Sequence, residues 1–361
     1  MIPEVKLPEV KRVAFPEFTH YNYAMKYFFE KGLDVEFVIP PHMTVRTMDR
    51  GTKNSPDFVC TPFKSTLGSI MDCLEAGANT ILMTFGLCRL GYYGELQEQI
   101  LHDLGYEFEF INFAEYSTGK MCAYLKPLKK INPKASYAKI VKVGAECIKM
   151  CQYLDAAEEI YYKNCGFEVK KGSYKKLHDR FITAMEAANT GREIETAFNT
   201  FKKYANEIQL DKPENPLRVG LIGEFFTVMD PFSNLNVEQK IANMGVEVHR
   251  YMNVSNRLLH YKAKNLEVGT SEYCKYEMGP TSTANIWCAK DYAEQGFDGL
   301  IHIKSAGCTP EIDIMPVLQN ISADYKIPVL YLTYDSQTSD TGLDTRLEAF
   351  YDMISMRKKV F

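Results

Sequence analysis

Short apolar runs alternate with amphipathic stretches from early in the chain. The run Arg12 to Phe15 predicts a strand, Tyr23 to Lys31 a helix, and Val35 to Ile39 a second strand. The pattern continues with a strand over Asp57 to Cys60, a helix from Pro62 to Ala76, and a buried strand over Thr80 to Phe85. A helix over Gly94 to Leu104 and a strand over Phe108 to Phe113 complete this half. Strands joined by helical crossovers pair in parallel, so a parallel sheet flanked by helices is expected.

The grammar then changes. Lys126 to Lys134 is basic and contains proline, and the stretches Tyr137 to Tyr162 and Tyr174 to Ile208 carry apolar residues at helical spacing. Two prolines within Asp211 to Pro216 mark a further boundary. Beyond it the sequence predicts strands over Leu217 to Gly223, Val246 to Tyr251, Gly299 to Ile303 and Pro328 to Thr333. Helices are expected between them over Val237 to Met244, Ala284 to Glu294 and Pro316 to Tyr325, with a last one over Thr345 to Arg357. The expected architecture is α/β, with two Rossmann-like (flavodoxin-like) parallel-sheet domains over residues 1–125 and 217–361 and a helical segment over 126–216.

At 361 residues the chain is long enough for two cores. Its formal net charge of -4 leaves no cationic excess to neutralise phosphates, so no nucleic-acid partner is expected. Met1 to His20 is interrupted by Pro3, Pro8 and Pro16 and carries several charges. It has neither the apolar core of a signal peptide nor a membrane-spanning helix, and the expected location is the cytoplasm. Ten cysteines then need an explanation other than disulfides, which are rare where thiols are kept reduced.

Three cysteines share one predicted address, just past the carboxyl end of a strand. Cys60 ends Asp-Phe-Val-Cys, Cys88 follows Thr-Ile-Leu-Met-Thr-Phe-Gly-Leu, and Cys308 follows Leu-Ile-His-Ile-Lys-Ser-Ala-Gly. That edge of an open α/β sheet is where ligands bind, and the next helix offers backbone N–H groups and a partial positive charge that favour thiolates. Pro62 and Pro310 fall two residues after Cys60 and Cys308, as first-turn prolines do, and Gly86 and Gly307 leave room for a bulky group. Any one of these cysteines could instead pack as a small hydrophobe. On the residues alone a zinc ion suits the three thiolates as well as an iron cluster does.

Cys147 and Cys151 lie four apart among Ala, Ile, Met and Leu, so core packing is expected of them, as of Cys73 within its helix. Cys165 and Cys288 have no shared address. Cys122 and Cys274 are kept as spare ligands.

The pieces Cys60-Thr-Pro-Phe-Lys64, Gly86-Leu-Cys88-Arg-Leu-Gly-Tyr-Tyr93, Ile222-Gly-Glu224-Phe-Phe-Thr-Val-Met-Asp-Pro231 with Asn234, and Asp298-Gly-Leu-Ile301 leading to Gly307-Cys308-Thr-Pro-Glu311 resemble the 2-hydroxyacyl-CoA dehydratase family. The similarity is to its small CoA-enzyme-activase-associated and double-cubane-cluster relatives. The tail Asp340-Thr-Gly-Leu-Asp-Thr345-Arg346-Leu-Glu-Ala-Phe350 is similar to that family's C-terminal signature. The resemblance implies a 4Fe–4S cubane, single or doubled, held in an interdomain cleft by Cys60, Cys88 and Cys308 with one iron open. It further implies a dimer, homo- or heteromeric, in an anaerobe, receiving electrons from a separate ATP-hydrolysing iron–sulfur activator.

No G-x-x-x-x-G-K-S/T loop is present: Gly119-Lys120 has Ala114 where the first glycine belongs and Met121 after the lysine. ATP handling is therefore expected of the partner. Lys64, Arg89, His302 and Glu224 are candidates for donors around the thiolates, although each also has an ordinary reading as surface charge, strand-end histidine or helix cap. The leading expectation is an electron-transfer or reductase component with a small-molecule acceptor. The alternatives are a radical 2-hydroxyacyl-CoA dehydratase subunit, a lyase, and a non-catalytic cluster carrier.

Overall fold

A computed structural model describes residues 10–83, 92–113, 127–260, 263–276, 278–336, 338 and 340–360. The chain divides into two compact units, Met1–Cys151 with Met185–Ile194, and Gln152–Ala184 with Glu195–Phe361.

The first unit holds strands β1 (Arg12–Ala14), β2 (Glu36–Phe37), β3 (Thr80–Met83) and β4 (Glu109–Asn112), paired in parallel in the order β2-β1-β3-β4. Both faces of this sheet are covered, which is why its strands read as apolar runs rather than alternating ones. Successive residues separate onto the two faces. Ala14 and Ile81 pack with Phe63, Leu67, Ile70 and Leu101, whereas Val13 and Leu82 pack with Phe29, Leu33, Phe37 and Ile111.

The helices of this part are α1 (Tyr21–Tyr27), which continues as a wider turn over Phe28–Gly32, α2 (Val45–Lys53), α3 (Thr61–Glu75) and α4 (Tyr93–Asp103). Two expectations need correction. The strand expected over Asp57 to Cys60 is a turn, in which Phe58 is 98% exposed, so the apolar pair Phe58-Val59 has no sheet to join. The helix α2 was not expected. It is started by a capping box between Thr44 and Thr47, and Gly51 within it reads in sequence as a break. That glycine is instead a contact: a Cβ there would sit 1.8 Å from the Lys64 carbonyl oxygen, and one at Gly68 would sit 2.0 Å from that of Thr47. The backbones of α2 and α3 therefore touch.

The helical stretch comprises α5 (Tyr137–Asn164), α6 (Ser173–Ala187) and α7 (Gly191–Glu207). The single amphipathic run Tyr174 to Ile208 breaks near Thr190, whose hydroxyl accepts from Glu193 N–H at 3.2 Å, while the Glu193 carboxylate accepts from Asn189 N–H at 2.7 Å. These caps satisfy amides that a continuous helix would have used internally.

The second unit repeats the sheet. Strands β5 (Leu217–Gly223), β6 (Val246–Arg250), β7 (Gly299–Ser305) and β8 (Val329–Tyr334) pair in parallel in the order β6-β5-β7-β8. Around them lie α8 (Phe225–Met229), α9 (Val237–Asn243), α10 (Ala263–Thr270), α11 (Pro280–Glu294), α12 (Thr309–Asp313), α13 (Met315–Tyr325) and α14 (Asp340–Val360). The fold is thus α/β with two Rossmann-like parallel-sheet domains, as the sequence pattern predicts. Among the described residues no helix is long and apolar enough to cross a membrane.

Candidate functional site

In the first unit, Cys60 is the cap residue of α3, with extended backbone and Pro62 in the first turn behind it. It does not follow a strand, as the sequence suggested; it precedes the helix that leads into β3. The functional address survives this change, because a helix returning to start a parallel strand has its N-terminus at the sheet's carboxyl edge. Ser69 on α3 accepts from Glu17 N–H at 2.7 Å, past the end of β1, and Cys60 lies nine residues further out, roughly 13 Å along the helix.

The first turn of α3 is held by α4. Buried Gln97 donates from Nε2 to the Phe63 carbonyl at 3.1 Å and to Thr66 Oγ1 at 2.8 Å, and Thr66 Oγ1 in turn donates to the Pro62 carbonyl at 2.7 Å. Tyr93, at the start of α4, sets its ring edge-on to Phe63 with centroids 4.6 Å apart, and its hydroxyl lies 3.8 Å from Cys60 Sγ.

In the second unit, β7 ends at Ser305 and turns through Gly307, whose φ of +77° suits glycine, to Cys308, the cap residue of α12. Cys308 N–H donates to the Ser305 carbonyl at 3.1 Å, and Pro310 stands in the first helical turn. Cys60 and Cys308 are 6% and 8% exposed, shielded yet not sealed.

What fixes α12 is Glu311, fully buried three residues after Cys308. Its Oε2 lies 2.8 Å from His302 Nε2, and its Oε1 accepts from Asn285 Nδ2 at 2.9 Å. Asn285, on α11, also donates to the Gly223 carbonyl at 2.9 Å and accepts from Gly223 N–H at 3.0 Å. Ser282, one turn earlier on α11, donates to the Pro310 carbonyl at 3.2 Å. One buried polar cluster therefore ties the start of α12 to the end of β5 and the middle of β7. Within it His302 Nδ1 finds no hydrogen-bond partner among the described residues.

Glu224 caps α8, accepting from Phe226 N–H at 3.0 Å and from Thr227 N–H and Oγ1 at 2.8 and 2.7 Å. Burial pushes its carboxyl pKa up, and nearby Glu311 adds to the rise. Lys64, half-buried on α3, reaches the Asp57 carbonyl, 3.5 Å away. Cys274 lies beside Met278, Sγ to Sδ 3.8 Å, and partial burial raises its thiol pKa. Burial pushes Cys73 and Cys165 up to about 12 and raises Cys288 well above the ordinary thiol value, which keeps these three as protonated core thiols. Cys147 Sγ meets the Ala24 carbonyl at 3.3 Å. Cys88, Arg89 and Cys122 lie outside the described residues.

Among the described residues no three His, Cys, Asp or Glu side chains converge on one point, so a metal centre is not complete within them. The two described thiols of the expected set fit a thiolate-held group in type and setting: neither is in a disulfide, and each opens a helix whose first turn is held by its own buried polar contacts. Sequence reasoning did not single out Gln97, Asn285 or Glu311 as site residues. Only Glu311 carried a signal, as an acid at the third helical position, and it turns inward instead of capping.

No protein-family model matches the chain, and no curated protein matches it.

Proposed function

We propose that Cys60, Cys88 and Cys308 hold an iron–sulfur cubane and that the chain is a cytoplasmic electron-transfer or reductase component, related to the 2-hydroxyacyl-CoA dehydratases. The observation that carries this reading is the repeated construction around Cys60 and Cys308. Each cysteine occupies the position just before a helix with proline in its first turn, and each belongs to the carboxyl side of its own four-stranded parallel sheet. Such positions put backbone N–H groups and a helix's positive end beside sulfur, which favours thiolate.

When bound, the cluster would supply one-electron storage and an open iron for a small acceptor. The chain's residues then have defined tasks. Gln97 and Tyr93 hold the Cys60 helix start, Glu311 and Asn285 hold that of Cys308, and the apolar packing of Phe63 against Tyr93 limits water beside Cys60. The absence of a phosphate loop in the sequence assigns ATP hydrolysis to a separate activator.

The test is reduction of the anaerobic, reconstituted protein. Bleaching that requires both ATP and an ATP-hydrolysing iron–sulfur activator is the expected result, whereas bleaching with ATP alone contradicts it. Elimination of water from a 2-hydroxyacyl-CoA ester under the same conditions would replace the reductase reading with the lyase.

A further inference from the structure

We infer that Tyr93 is a tuning residue for the cluster, its hydroxyl donating a hydrogen bond to the Cys60 sulfur once that sulfur is a ligated thiolate. The inference rests on the cluster reading above. Its own basis is geometric. The Tyr93 hydroxyl lies 3.8 Å from Cys60 Sγ, within range for a hydrogen bond involving sulfur. The ring is fixed by its edge-on contact with Phe63, two residues past the first turn's Thr61. The helix carrying Tyr93 is itself latched to that turn through Gln97. A phenol so constrained keeps its hydroxyl at the sulfur without losing much side-chain freedom on doing so.

In the metal-free thiol the S–H is the donor and the phenol oxygen accepts. On ligation the thiol proton is lost, sulfur becomes a pure acceptor, and the phenol O–H turns donor. Hydrogen bonds to ligating sulfur withdraw charge from the cluster and favour its more negative, reduced form. Tyr93 therefore raises the cluster's reduction potential.

Tyr93→Phe removes the hydroxyl and keeps the ring against Phe63. The experiment is anaerobic redox titration of the reconstituted wild type and Tyr93→Phe, with Tyr92→Phe as a control, since Tyr92 is 81% exposed. The expected result is equal iron per chain in all three, with a midpoint moved to more negative potential in Tyr93→Phe alone. Equal iron with an unchanged midpoint overturns the role of Tyr93 while leaving the cluster reading intact. Loss of iron from Tyr93→Phe also overturns it, since the hydroxyl would then serve retention rather than tuning. A wild type that takes up no cluster overturns the cluster reading and this inference together.

Discussion

Glu311 Oε2 lies 2.8 Å from His302 Nε2 with both side chains fully buried, and through this contact the helix opened by Cys308 is fastened to the strand that precedes it. A carboxylate so placed is shut off from solvent, so among the described residues its hydrogen bonds to His302 and Asn285 stand in for those to water.

Removing the carboxylate is therefore predicted to be costly. Glu311→Ala leaves His302 Nε2 buried without an acceptor and takes one of the contacts from Asn285, at about 1–3 kcal/mol for each group left unpaired. Glu311→Gln keeps one acceptor oxygen and should lose less. Urea unfolding of the two variants measures the difference; a loss below about 0.5 kcal/mol for Glu311→Ala, the size of an ordinary surface change, would refute the fastening role.

The glycine contact between α2 and α3 gives a prediction of sign. In an ordinary helix interior, glycine to alanine stabilises by roughly 0.5–1 kcal/mol. At Gly51 and Gly68 the added carbon would meet backbone oxygens at 1.8 and 2.0 Å, so Gly51→Ala and Gly68→Ala should each destabilise, by about 1–3 kcal/mol or more. A rise in melting temperature for either variant contradicts the contact.

Thiol chemistry separates core cysteines from the proposed ligands. With pKa values pushed up to about 12 by burial, Cys73 and Cys165 carry almost no thiolate at pH 8.5, and burial likewise raises the pKa of Cys288. Mass spectrometry after iodoacetamide treatment of the folded protein should find these three unmodified. Raising the pH from 8.5 to 10 should change this little, because both values lie below the shifted pKa. Rapid labelling of Cys165 at pH 8.5 would contradict the buried setting.

The sheets were legible in the sequence because both of their faces are buried, which writes each strand as a short apolar run bounded by turn residues. Cys308 was placed correctly for that reason: the run from Gly299 leads directly to its turn. Cys60 was assigned to a strand because Phe58 and Val59 precede it, and no local signal distinguishes an exposed apolar pair from a buried one. The helix α2 was hidden by the glycine that makes its packing possible. Gln97 and Asn285 were invisible for a different reason. A buried amide acts through partners 26 to 62 positions away, and only the folded topology brings those partners within reach.

Iron and acid-labile sulfide analysis of anaerobically purified protein decides whether Cys60, Cys88 and Cys308 hold an iron–sulfur cluster. Single serine substitutions at those three positions are compared with the same change at Cys147 and Cys151. The expected result is a brown wild type with iron and sulfide in similar amounts, a sharp loss of both in each of the three ligand variants, and retention in the other two. A colourless wild type holding stoichiometric zinc, or full iron in any one of the Cys60, Cys88 or Cys308 variants, would contradict it.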